Sequence, residues 1–167
     1  MEKAKQLPKT LKLFNFAKKE VNLHGECKIY NMPRVSEIAK NDNDSIEVDL
    51  SFHLDNGKIP CVKGIIDLKV VLDCQRCLDD LEIDLNIPFK LAFLKYENQA
   101  DGLDNSYEIY HTQEVEEIET IDFITDEILL SIPMVPSHNF ECGLKVDQEK
   151  IVEDVRKHPF DVLKNLK

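Results

Sequence analysis

Val71-Leu-Asp-Cys-Gln-Arg-Cys-Leu78 decides how this chain is read. On its N-terminal side Ile66, Leu68, Val70 and Leu72 alternate with Asp67, Lys69, Val71 and Asp73. On its C-terminal side Leu81, Ile83, Leu85, Ile87, Phe89, Leu91 and Phe93 share one parity, with Glu82, Asp84, Asn86 and Lys90 on the other. Side chains on a strand point to opposite faces in turn, so each run buries one face and wets the other. The segment between the runs must turn the chain, and Cys74-x-x-Cys77 sits on that turn. Two thiolates placed this way make half of a structural zinc site, which takes four Cys or His ligands.

Upstream, Ile46, Val48, Leu50, Phe52 and Leu54 alternate with Glu47, Asp49, Ser51 and His53, and Asp55-Asn-Gly57 follows as a hairpin turn. The next strand runs from about Lys58 to Asp73, with a break or bulge expected near Pro60 and Gly64. Residues 46–94 therefore predict a three-stranded antiparallel meander with one apolar face. The expected class is α+β, one domain spanning 1–167, its mainly antiparallel sheet covered by short helices. Near the start, Leu7, Leu11 and Phe14 recur at the helical period within a basic segment, 1–20. Val21 to Tyr30 reads as a strand or turn, and Met32 to Lys40 as a short helix with Pro33 in its first turn.

Downstream, Tyr107–Tyr110 and Val115–Ile118 read as short edge strands. Ile121, Ile124 and Ile128 mark a helix, with Thr120 or Asp122 as its N-cap. It should stop near Ser131, because Pro133 disfavours helical geometry in the residue before it. Ile132-Pro-Met-Val-Pro-Ser-His138 is then extended, and a helical tail is expected over 146–167.

A chain of 167 residues with 43% hydrophobic side chains can bury a real core. No stretch approaches the roughly 18–20 apolar residues of a membrane span. Met1-Glu-Lys-Ala-Lys-Gln6 lacks a signal peptide's apolar run, so a cytoplasmic protein without membrane contact is expected. Five cysteines, an odd number, argue against a disulfide framework; Cys27 and Cys61 are simplest as small core residues.

The net charge of −11 opposes phosphate over the surface as a whole, but the charge is uneven. Residues 1–20 hold six lysines against two glutamates, whereas 97–127 hold eleven acids and no Lys or Arg. Lys9, Lys12, Lys18 and Lys19, with Phe14 and Phe16 interleaved, and Arg76 between the cysteines, are candidate contacts to RNA or a partner. The plainer reading of the N-terminal segment packs Leu and Phe on the sheet and exposes lysine. The acidic stretch suits a basic protein partner.

His138 and Cys142 complete a Cys3His set with Cys74 and Cys77, ligands that make a closed, structural zinc site. The alternative is a pair of free thiols packed at a hairpin tip. A redox Cys-x-x-Cys needs a helix N-terminus or cationic surroundings, whereas Asp73, Asp79 and Asp80 flank this one. His24-Gly-Glu26 matches the first half of a zinc-deaminase signature, but Asp73, not proline, precedes Cys74. The acids from Glu114 to Glu119 could serve a metal-dependent RNA-processing enzyme, though a solvated face explains them more simply. No phosphate-cradling glycine loop and no nucleophile elbow are present.

Taken together, Leu7-Pro8, Asp55-Asn-Gly57, Leu72-Asp-Cys-Gln-Arg-Cys-Leu78, Asp126-Glu-Ile-Leu-Leu-Ser-Ile-Pro-Met-Val-Pro-Ser-His138 and His158-Pro-Phe-Asp-Val-Leu-Lys-Asn-Leu166 resemble, in the same order, the bacterial large ribosomal RNA subunit accumulation proteins, the YceD family. The resemblance implies a non-enzymatic role in synthesis, processing or stability of the large-subunit (23S) rRNA. The implied partners are that rRNA or a pre-ribosomal particle, and a basic ribosomal or assembly protein. A protein-interaction module without RNA contact is the other non-enzymatic reading. Many members carry a second cysteine cluster near the C-terminus that ends in Cys-x-x-Cys; this chain has only His138 and Cys142 after Pro136.

Overall fold

Three long strands, β3 (Ser45–Asp55), β4 (Ile59–Asp73) and β5 (Asp80–Leu94), form the antiparallel meander that the alternation predicts. They belong to a computed structural model that describes residues 6–55, 58–100, 103–112 and 117–143. The helical tail expected over 146–167, the residues of the Asn56-Gly57 turn and residues 114–116 lie outside these. The Lys58 N–H donates to the Asp55 carbonyl at 3.0 Å, which closes the β3–β4 turn. Strand β2 (Asn22–Lys28) pairs antiparallel with β3, and β6 (Glu108–His111) lies parallel to β5, giving a five-stranded sheet in the order β2-β3-β4-β5-β6. A two-stranded ribbon joins β1 (Thr10–Lys12) to β7 (Glu117–Glu119). The helices are α1 (Leu13–Lys18), α2 (Pro33–Ser36) and α3 (Thr120–Ser131). No helix among the described residues is long and apolar enough to cross a membrane.

The core lies on one face of the sheet. Ile46, Val48, Leu50 and Phe52 of β3, Ile66, Leu68 and Val70 of β4, and Phe89 and Leu91 of β5 meet Leu13 and Ala17 of α1, Val35 of α2, and Phe123, Ile124 and Ile128 of α3. Edge-to-face rings lock the layers: Phe16 on Phe52 at 5.5 Å between centroids, and Phe89 on Phe123 at 5.7 Å. Such pairs add about 1 kcal/mol beyond their burial.

Three local expectations are corrected. The N-terminal helix begins only at Leu13, because Thr10–Lys12 is drawn into pairing with β7; Leu11 is buried from a strand, while Phe14 is exposed. Strand β4 is unbroken, its register with β3 and β5 uninterrupted through Gly64. Pro60 lies one residue beyond the last β4–β5 pair, Cys61 with Ala92, where its missing N–H costs no bond to β5. The cap of α3 is Glu119, not Thr120 or Asp122. Thr120 instead ties the helix to the N-terminal segment: its N–H donates to the Lys9 carbonyl at 2.9 Å and its hydroxyl to the Pro8 carbonyl at 2.5 Å.

One carboxylate on α3 is poorly placed for ionisation. Glu127 is only 8% exposed, and burial, with like charge from Glu108 and Asp126, pushes its pKa up to about 7. The folded chain therefore holds a proton that the unfolded chain has released between about pH 4.5 and about pH 7, so stability falls as pH rises through that window. Glu127→Gln is expected to match the parent near pH 5 and to exceed it by roughly 2 kcal/mol near pH 8. Denaturant titrations at both pH values check this; parallel pH profiles for the two proteins would refute it.

Candidate metal centre

The β4–β5 hairpin ends at the pair Asp73–Asp80, two like charges directly opposite each other. Lys40, just beyond α2, answers both, with Nζ 2.6 Å from each carboxylate. Past that pair the chain makes a tight knuckle. The Cys74 N–H donates to the Asp79 carbonyl and the Leu78 N–H to the Cys74 carbonyl, each at 2.9 Å. Leu78 takes a left-handed backbone, φ 66°, which a leucine adopts only at a cost of about 1 kcal/mol.

The chain leaving α3 passes over this knuckle. The helix ends at Ser131, as the following Pro133 requires, and 132–143 runs on without regular secondary structure, so the expected extended segment is irregular. The Gln75 N–H donates to the Pro136 carbonyl at 2.8 Å, fixing the two segments in register. Cys77 and His138 are thereby brought together, and Cys142 reaches Cys74. One ligand atom from each of Cys74, Cys77, His138 and Cys142 lies within 4.8 Å of all the others. This cluster can hold a metal ion. His24 is not part of it; its Nδ1 lies 2.7 Å from Asp49 Oδ1 on the sheet.

The donor set fits zinc by geometry as well as by chemistry. Zn–S bonds of about 2.3 Å at tetrahedral angles put two sulfurs about 3.8 Å apart, and a sulfur and an imidazole nitrogen about 3.6 Å apart. Cys74 Sγ and Cys142 Sγ are 3.7 Å apart, and Cys77 Sγ and His138 Nδ1 are 3.5 Å apart. The other nitrogen of His138, Nε2, donates to the Asp80 carbonyl at 3.2 Å. That bond leaves the Nδ1 lone pair facing the sulfurs, the usual arrangement around a metal-bound imidazole. The His138 ring also stacks near Phe140, with centroids 4.7 Å apart.

Arg76 fastens the two segments. Its Nε donates to Cys142 Sγ at 3.1 Å, and its terminal nitrogen to the carbonyls of His138, at 3.0 Å, and Phe140. The sequence places Arg76 among candidate contacts to RNA or a partner; here its exposed side chain is engaged by the ligand loop, and only its position between the cysteines hints at that. Burial acts to raise the Cys74 thiol, but backbone N–H groups of Cys77, Arg76 and His138 prevail and hold it well below the ordinary thiol value. Burial likewise opposes ionisation of Cys142, and the Arg76 guanidinium and His138 lower it. Both favour the thiolate, the form that binds metal. Cys77 goes the other way: the Asp79 backbone N–H acts to lower it, but burial and the neighbouring Cys74 and Cys142 thiols prevail and push it up to about 11, the same value that burial gives the core thiols Cys27 and Cys61.

The lysines expected as contacts divide. Lys12 is paired with Glu117 at 3.1 Å, whereas Lys9, Lys18 and Lys19 have no ion-pair partner among the described residues.

Comparison with known proteins agrees with the residue-level reading. The family model for "Large ribosomal RNA subunit accumulation protein YceD" matches residues 62–167. A Haemophilus influenzae protein of that name is 32% identical over 173 residues, covering 100% of this chain and 99% of its own length. No solved structure gives a significant match. The matched segment contains all four clustered ligands, and the relative extends the likeness through the N-terminal ribbon and helix: the chain belongs to the YceD family of large ribosomal RNA subunit accumulation proteins.

Proposed function

We propose that this protein is a non-enzymatic factor for accumulation of the large-subunit rRNA, and that Cys74, Cys77, His138 and Cys142 hold a structural Zn2+. Full-length likeness to a large ribosomal RNA subunit accumulation protein carries the first part. The closed set of four protein ligands carries the second, since a catalytic zinc keeps an open position for water or substrate. The ion supplies a cross-link between hairpin and loop; Arg76, Lys40 and the Asp80 carbonyl position its ligands. The partners in this reading are the rRNA or a pre-ribosomal particle, with the acidic segment available to a basic ribosomal protein.

The enzymatic alternative draws no support from the acids it would use. Glu117 pairs with Lys12, and Glu119 stands at the N-cap position of α3 without a side-chain capping bond; neither belongs to a cluster that could hold a metal ion among the described residues.

Removal of the gene is expected to lower mature 23S relative to 16S rRNA, and the protein should co-sediment with pre-ribosomal particles. Purified protein with precursor rRNA and divalent metal should show no cleavage. Unchanged rRNA ratios together with no co-sedimentation would overturn the reading, and specific cleavage would replace it with the enzymatic one.

A further inference from the structure

Beside α1, a cleft of about 360 Å³ opens at the end of β4 remote from Cys74 and Cys77. Its apolar lining comes from Leu13, Pro60 and Phe93, with Phe14, Lys58 and Lys95 exposed around it. Pro60 and Asp73 stand at opposite ends of β4, roughly 40 Å apart along the strand, so the cleft and the metal centre are separate sites.

Phe14 is 50% exposed, although its neighbour Leu13 is buried in the core. The fold therefore gains little from an aromatic ring at this position. Lys18 follows Phe14 by one helical turn and shares its face of α1. The cations around the ring are also without an acidic partner among the described residues, as are Lys9, Lys19 and Lys28 elsewhere on the chain. Lys12, Arg34, Lys40 and Lys69 are each ion-paired, in a chain of net charge −11. Lys18, Lys58 and Lys95 have no such partner among the described residues. Three unneutralised cations thus surround an exposed aromatic ring and an apolar cleft on an otherwise acidic protein.

We propose that this cleft takes an unpaired nucleotide of RNA, its base stacked on Phe14 and its flanking phosphates met by Lys18, Lys58 and Lys95. Single strands are held in this way by proteins that combine aromatic platforms with cations tracking the backbone. A base inside a duplex is already stacked and cannot enter, so the site selects loops, bulges or ends. An acidic peptide would satisfy the lysines but would leave the flat face of Phe14 without a matching ring. The inference rests on the rRNA reading above and locates its RNA contact.

The test uses the full chain and two probes of equal length, single-stranded oligouridine and an abasic phosphodiester, followed by fluorescence anisotropy. The parent should prefer oligouridine. Phe14→Ala should weaken oligouridine binding by roughly tenfold and abolish the preference, while Phe14→Tyr retains it. Lys58→Gln with Lys95→Gln should reduce the slope of log K against log salt by about 1.4, near 0.7 for each phosphate contact. Because Phe14 is half exposed, circular dichroism should show an unchanged fold. Parent-like binding by Phe14→Ala, or its full restoration of 23S levels in the deletion strain, overturns the site and leaves the rRNA reading intact. Binding of an acidic peptide in place of either oligonucleotide also overturns it. A deletion strain with normal 23S levels instead refutes the rRNA reading itself.

Discussion

Cys77→Ser is expected to strip the zinc from the protein and to lower its stability by about 4 kcal/mol or more. Loss of a metal is among the few single-residue causes of so large a change, because the free energy of binding the ion is also free energy of folding. The loss should be local in structure. Hydrogen exchange should accelerate in 74–79 and 132–143, whose mutual bonds among the described residues run through the Gln75–Pro136 pair, the Arg76 guanidinium and the ligand cluster. The centre of the sheet should stay protected, since the β3–β4–β5 register owes nothing to the cluster. Cys27→Ser is the control: that thiol is buried and remote from the ligand set, so the variant should lose stability yet keep a full equivalent of zinc. Metal analysis of protein purified without chelator decides the matter. Substoichiometric zinc in the parent, or an unchanged melting temperature in Cys77→Ser, would remove the site.

The second large effect lies at Gly64. An alanine Cβ there would come within 2.1 Å of the Phe89 ring, which lies across the glycine from the neighbouring strand. Phe89 cannot swing freely, being itself packed edge-to-face on Phe123 within the core. Glycine in a strand ordinarily costs about 0.5–1 kcal/mol relative to alanine. Overpacking of a filled core costs about 1–3 kcal/mol, so the clash outweighs the propensity, and Gly64→Ala should be destabilising by about 2 kcal/mol. Adding Phe89→Leu removes the ring. In a double-mutant cycle Gly64→Ala should then be near neutral when introduced on top of Phe89→Leu. Additive losses would show that the glycine is needed for some reason other than the ring.

These two positions mark what the sequence can and cannot convey. The long strands are legible because their alternation extends over many residues and nothing in their surroundings competes with it. Gly64 reads as a bulge because a local signal, glycine in a strand, has two causes. The second, a ring reaching over from the next strand, depends on a register that no local window contains. The start of the N-terminal helix is misread for a related reason. Leu7, Leu11 and Phe14 do share a helical period, but pairing of Thr10–Lys12 with β7, more than a hundred residues later, takes Leu11 into a strand. The parallel setting of β6 is equally invisible, since a short run of alternating residues does not state its direction. The ligand set is legible in type and order. What the sequence leaves out is the support around it: Lys40 between two opposed aspartates and Arg76 bonded to the ligand loop.

The ligands also fix an order of events. Cys77 and His138 are separated by 61 residues, and the intervening chain supplies β5, β6, β7 and α3. A nascent polypeptide that has not yet emerged past Cys142 possesses only part of the coordination set, however well its first hairpin has formed. Joining such distant points early would incur the entropy of closing a long loop, with few contacts to offset it. An ion held by this set would therefore be a late arrival, captured once the last strand and helix have docked. It would act as a check on completed synthesis, since a truncated chain lacks part of the ligand set and leaves the hairpin tip without its cross-link.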